Sequence, residues 1–219
     1  MKKVFIAALM LLSGSALMAQ SKIGLKAGVN FAKMTSRSEG ISVSSSSRLS
    51  YNLTAFKDFP LSETMSFQPG ISLNGKGLKL KISDDFLDES FTQEAKADLM
   101  YLEVPLNAIA KFAAGNGKFF IGAGPYVAYG LSGKTESSAT GFDSNMKMVQ
   151  ETEKNDKAFK KDQGMYKPFD FGVNFLTGYE LNSGLSLNAG YGLGLSNIAR
   201  GSDEKVKNKV FSISVGFAF

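Results

Sequence analysis

Read two residues at a time, most of the chain separates into an apolar row and a small or polar row. The last segment shows it best: Phe211, Ile213, Val215, Phe217 and Phe219 share one face, Val210, Ser212, Ser214, Gly216 and Ala218 the other. A period of two sustained over this length predicts a β-strand with one lipophilic face. The scheme recurs upstream. Ile23, Leu25, Ala27, Val29 and Phe31 oppose Gly24, Lys26, Gly28 and Asn30; Leu49, Tyr51, Leu53 and Ala55 oppose Ser50, Asn52 and Thr54. Met65, Phe67, Pro69, Ile71 and Leu73 oppose Ser66, Gln68, Gly70, Ser72 and Asn74. Further strands are predicted from Tyr101 to Phe112, from Phe119 to Leu131, from Phe169 towards Asn182, and from Leu185 to Ser196.

Eight strands result, joined alternately by long and short connections. The long ones are Thr35–Ser47, Ser83–Asp98, Ser132–Lys167 and the medium, charged Ala199–Lys207; the short ones are centred on Pro60, Gly115 and Ser183. Gly75-Lys76-Gly77 is read as a bulge at the rim, because Leu78, Leu80 and Ile82 continue on the opposite parity. Pro69, Pro105 and Pro125 fall inside predicted strands, where a bulge or a broken ladder is expected.

Composition changes the picture in three ways. The start, Met1-Lys2-Lys3 followed by an apolar run to Leu12 and small residues up to Ala19, reads as a secretory leader over residues 1–19. The run is short of the ~20 apolar residues of a spanning helix. Residues 20–219 then form one exported domain. Cysteine and histidine are both absent, which excludes disulfides, Ser-His and Cys-His nucleophiles and the common zinc ligands. The chain carries +5, falling to +3 (23 basic against 20 acidic residues) without Lys2 and Lys3, too little to point to nucleic acid.

The two rows decide the architecture. One is branched and aromatic, the other largely Gly, Ser and Asn, a set too small to fill a dry core. Turned inside out, the apolar row meets hydrocarbon, and closing the sheet pairs every backbone group where water is missing. Aromatics near strand ends (Phe31, Phe59, Phe112, Phe119, Tyr129, Phe169, Tyr179, Phe217, Phe219) fit interfacial girdles. The fold expected is all-β: an eight-stranded antiparallel up-and-down transmembrane β-barrel of the bacterial outer membrane. Short turns face the periplasm and long loops the exterior. A soluble lipocalin-like barrel is the competing architecture.

Tyr101-Leu102-Glu103-Val104-Pro105-Leu106, Gly124-Pro125-Tyr126, Asp170-Phe171-Gly172, Gly178-Tyr179-Glu180 and Tyr191-Gly192-Leu193 with Ser196-Asn197-Ile198 occur in that order. Together with the leader and the terminal Phe219 they resemble the PorT-type outer-membrane β-barrel family of the Bacteroidetes. The resemblance spans nearly the whole exported chain and implies an eight-stranded barrel. Most members have no assigned activity, and the secretion role of the family's namesake is not carried over.

For chemistry, the inward row offers six charged side chains: Lys26, Arg48, Glu103, Lys111, Asp170 and Glu180. Charges in a narrow interior must be paired or wetted. Two ion-pair clusters plugging the lumen are expected, Arg48, Glu103 and Asp170 towards the outer end and Lys111 and Glu180 towards the periplasmic end, with Lys26 between; simple hydration is the alternative. Gly190-x-Gly192-x-Gly194 lacks the strand–turn–helix setting of a dinucleotide loop. Asp84, Asp85, Asp88 and Glu89 lack EF-hand spacing. No catalytic, cofactor or metal residue is assigned, and no cofactor is expected. The expected function is a non-enzymatic scaffold whose outer loops meet a protein or surface polymer, with outer-membrane lipid and lipopolysaccharide as surroundings. A narrow, porin-like conduit is the alternative.

Overall fold

The computed structural model describes residues 21–38, 41–86, 89–142, 148–160, 162–201 and 205–219. The segment read as a leader lies outside them. The strands are β1 (Lys22–Ser38), β2 (Ile41–Ser44), β3 (Arg48–Pro60), β4 (Met65–Phe86), β5 (Glu89–Ala114), β6 (Gly117–Phe142), β7 (Met148–Asn155), β8 (Phe169–Leu181), β9 (Leu185–Gly194) and β10 (Lys205–Ala218). Eight close an antiparallel ring, β1-β3-β4-β5-β6-β8-β9-β10, with β10 paired back onto β1. Strands β2 and β7 continue the sheet above the ring, against the upper ends of β1 and β6. The last residue belongs to the ladder: the Phe219 amide donates to the Ile23 carbonyl at 2.8 Å, and the Ile23 amide donates to the Phe219 main-chain oxygen at 3.2 Å. A sheet without an edge leaves no backbone group to be desolvated unpaired.

The apolar row faces outward. Leu187, Ile71 and Val127 are about 60% exposed (61%, 60% and 58%), whereas their inward neighbours Asn188, Ser72 and Tyr126 are buried. At the long-connection end the outward face carries the pairs Phe31–Phe211 (ring centroids 6.1 Å apart) and Tyr129–Phe169 (5.0 Å); Phe217–Phe219 (6.2 Å) lies at the other. Short connections at Leu61–Thr64, Gly115–Asn116 and Asn182–Gly184 lie at the end that holds both strand termini, and the long ones at the opposite end.

Three expectations change. The stretches read as the loops Ser83–Asp98 and Ser132–Lys167 are largely strand: β4 and β5 pair up to Phe86↔Glu89, and β6 pairs with β7 up to Phe142↔Met148. Strand β1 likewise runs on to Ser38 and pairs with β2, inside the stretch read as the loop Thr35–Ser47. Strands β5 and β6 are each 26 residues long, against ~9–11 needed to cross a bilayer, so the hairpins project roughly 35 Å beyond it at ordinary rise and tilt. Polar composition suggested loops, but two paired strands need no core when each satisfies the other's backbone.

The third change concerns Gly75-Lys76-Gly77, which forms no bulge. The register from Met65↔Ala110 to Phe86↔Glu89 is constant, so Lys76, Leu78 and Leu80 share the inward parity of Ser72 and Asn74. What changes is the environment: above the bilayer the outside is water, and the apolar side chains turn in. The bulge sits on β6 instead, where pairing passes from Tyr101↔Gly130 to Met100↔Ser132 and leaves Leu131 as the extra residue. The prolines interrupt the ladder as expected, by a gap in the pairing and not by a bulge. Pairing skips from Pro69↔Leu106 to Ser72↔Glu103 and from Pro105↔Tyr126 to Ala108↔Ala123, with the register kept.

Candidate functional site

The inward row builds a lumen in layers. Uppermost within the ring is a buried triad. Lys76 Nζ lies 2.9 Å from Glu103 Oε2 and 3.0 Å from Asp170 Oδ2, with side-chain exposures of 2%, 3% and 0%. The ammonium also sits over the Tyr126 ring, 4.2 Å from its centroid. Two carboxylates share one cation, and the excess charge is held by neutral donors. Ser196 Oγ (2.6 Å), Asn208 Nδ2 (2.9 Å) and Tyr126 OH (3.3 Å) donate to Asp170, while Asn74 and Asn174 each donate to Glu103 at 3.0 Å. Side chains from β4, β5, β6, β8, β10 and the segment after β9 meet here, so the group ties most of the ring together. Buried charges are tolerable only with this density of partners.

Below the triad lies an amide layer. Asn52 donates to Asn30 and Asn30 to Asn74, both at 2.6 Å. They border a chamber of about 110 Å³ that Asn107, Asn174 and Asn188 also line. The Oδ1 atoms of Asn107 and Asn188 have no protein partner. A polar chamber of this size holds several waters, which would complete these groups. Lys26 reaches this layer without a carboxylate: its ammonium donates to Gln68 Oε1 at 2.7 Å and stacks 4.3 Å from the Phe56 centroid.

At the short-turn end Lys111 pairs with Asp58 and lies 3.6 Å from Glu180, which Lys22 approaches to 3.7 Å. The Lys22 side chain is 51% exposed, so that last contact contributes little.

The outer mouth is closed by a second, apolar device. Met34, Ala97, Leu99, Tyr101, Ile198 and Val206 point inward above the triad and, with Ala128 at its level, form a buried cluster with Ala158 and Tyr166. The segment after β7 folds into the mouth to reach them. Phe159 packs edge-on against Tyr101, centroids 5.2 Å apart. Arg200 pins the segment from above by donating to Phe159 O at 2.6 Å and Tyr166 O at 3.0 Å. Beside this cap is a cleft of about 630 Å³ bordered by Met34, Leu78, Leu80, Met165 and Tyr166. Gly130 is where Phe159 seats, since a Cβ there would run into its ring. Gly130→Leu is therefore expected to expel the segment, read as faster tryptic cleavage at Lys157 and Lys160 in the intact barrel.

Of the six charged candidates, Glu103 and Asp170 converge in the upper group and Lys111 and Glu180 in the lower. Arg48, placed with the upper group by its position, instead forms a two-pronged pair with Asp98 (2.6 and 2.8 Å) on the hairpin, because its long side chain reaches the rim carboxylate first. Lys26 joins no ion pair among the described residues. The central cation Lys76 and the lower anion Asp58 were not among the six. Both lie on the inward parity, Lys76 two residues beyond Asn74 and Asp58 two beyond Phe56, just past the strand ends read from apolar content. Outside the bilayer, Glu94 lies 3.0 Å from Lys79 and 3.3 Å from Lys96; the hydrogen bond from Lys79 is the main reason its carboxyl is held below its ordinary range. Among the described residues no three acidic, histidine or cysteine side chains converge as a metal site would. The acidic run ending at Glu89 includes Asp88, and Asp88 with the neighbouring side chains falls outside the described residues.

A closed ring with a lipophilic exterior and a polar, plugged interior defines an integral β-barrel membrane protein. The chain belongs to the outer membrane protein beta-barrel domain family, which it matches over residues 18–200, and an outer-membrane location follows. Among solved structures it is similar to Ail, the attachment invasion locus protein of Yersinia pestis (11% identity, 91% of this chain and 99% of that one, TM-score 0.40). It is similar too to Neisserial surface protein A (13%, 90% and 97%, TM-score 0.40) and to OprG from Pseudomonas aeruginosa (10%, 91% and 96%, TM-score 0.44). No curated protein matches the sequence.

Proposed function

We propose that this protein is a non-enzymatic outer-membrane scaffold that works through its long hairpins and does not conduct solutes. The observation that carries the reading is the double closure of the lumen: the Lys76–Glu103–Asp170 triad, and above it the cap that seats Phe159. An eight-stranded ring is barely wider than its own side chains, so either closure blocks a path. The hairpins β4–β5 and β6–β7, paired along their length, present a stiff surface at the exterior to a protein or surface polymer, as binding elements on rigid scaffolds commonly do. Within the family, the motifs from Tyr101 to Ile198 support a PorT-type assignment, with the leader removed after Ala19.

In planar bilayers the purified protein is expected to give no defined conductance steps. Reproducible steps from the wild type would replace the scaffold by the narrow conduit. Cross-linking from the hairpin tips in intact cells then identifies the partner; capture of nothing beyond lipid would remove the interaction role.

A further inference from the structure

On the lipid-facing side of the outer rim, four lysines stand together. Lys33 on β1 is directly opposite Lys209 on β10, with Lys207 and Lys205 following at two-residue steps on the same face. Directly opposed side chains on neighbouring antiparallel strands have Cβ atoms about 5 Å apart, and like charges so placed destabilise the pair. None of the four takes part in an ion pair among the described residues. They begin immediately above Phe31 and Phe211, the cross-strand aromatic pair on the outward face, so they stand at the height of lipid headgroups. Beneath Lys33 and Lys209 the outer surface is hollowed into a groove of about 550 Å³, walled by Phe31, Tyr191, Phe211 and Ile213.

We propose that this face is a binding site for a phosphorylated lipid of the outer leaflet, lipid A in the outer membrane. The lysines take its phosphates and the groove takes an acyl chain. The inference rests on the barrel lying with its long-connection end outward. Charge complementarity selects the head: an anion between Lys33 and Lys209 turns a repulsive pair into a charge-assisted clamp. Position selects the lipid over a soluble anion, because the groove continues downward from the charges along the hydrocarbon-facing wall. Lysines on a lipid face would otherwise have to reach up to water unaided.

The test uses the full barrel in phosphatidylcholine nanodiscs, given bisphosphorylated lipid A or its dephosphorylated form, with bound lipid counted by native mass spectrometry. The wild type is expected to retain the phosphorylated lipid about tenfold better than the dephosphorylated one, the ratio one charge-assisted contact supplies. The triple variant Lys33→Ala, Lys207→Ala, Lys209→Ala should lose that preference. Lys33→Arg with Lys209→Arg should keep it, and so should Lys57→Ala, which alters a lysine on the lipid face of the opposite rim. Heat-modifiable migration in gels confirms that each variant is folded. Equal retention by the triple variant, equal retention of both lipids, or capture of a soluble sulfated polymer in preference to lipid A would each overturn the site. The nanodisc result does not depend on orientation. Labelling of Ser137→Cys from outside intact cells tests orientation separately, and absence of labelling would overturn the outward placement.

Discussion

Replacing Lys76 with methionine is expected to lower barrel stability by about 3–5 kcal/mol, the cost of leaving a buried charge uncompensated. Here two carboxylates would be stranded, Glu103 and Asp170, whose side chains are only 3% and 0% exposed. The measurement is the urea midpoint of the barrel in detergent, followed by the folded-to-unfolded shift in gel migration. The companion variant Lys76→Met, Glu103→Gln, Asp170→Asn should recover most of the loss, since neutral amides can still bond to Asn74, Asn174 and Ser196. A single variant as stable as the wild type would mean that the triad is solvated through the lumen and does not close it. The same pair of variants in planar bilayers separates the two closures: if the cap alone suffices, the neutral triple variant stays silent.

The second large effect lies on the opposite face. Val215 is 54% exposed and sits near the middle of the outward band, between Ala27 on β1 and Leu187 on β9. Val215→Arg should cost about 2–4 kcal/mol in a bilayer, as expected for a cation near the midplane. It would read as a lowered unfolding midpoint in liposomes. Its neighbour Ser214 points into the lumen, and Ser214→Ala should fall within about 0.5 kcal/mol of the wild type. If Val215→Arg is neutral and Ser214→Ala is costly, the inside and outside of the barrel have been exchanged.

Within the bilayer the sequence is legible because a single rule governs each strand: hydrocarbon on one side, a cramped polar lumen on the other. That rule makes Val215 and Ser214, or Leu187 and Asn188, unambiguous from composition alone. It also places Glu103, Asp170, Lys111 and Glu180 indoors. Legibility ends where the rule ends. Leu78 and Leu80 look like a register change because their apolar side chains occupy the parity that lipid had left to polar residues; the strand is continuous and the solvent is what changed. Lys76 was obscured by its two flanking glycines, which suggested a break at the one place where a cation had to be carried indoors. The cap was beyond reach for a different reason. Phe159 and Arg200 are far apart in sequence and meet only because a segment folds back, which no periodicity records.

The extra residue at Leu131 has a consequence for how this gene can vary in length. Below it the even-numbered residues of β6 look indoors, and above it the odd ones do, which sets Gly133 against Leu99, Ala158 and Phe159. Losing one residue there would swing Lys134 into that oily seat and turn every later side chain of the shaft through half a revolution. Above Thr140 the described residues of β6 pair with β7 alone, so a change of length there disturbs only that ladder. Near Leu131 the chain tolerates change only in twos, so surviving length variants should cluster at hairpin tips and keep an even count along the shafts.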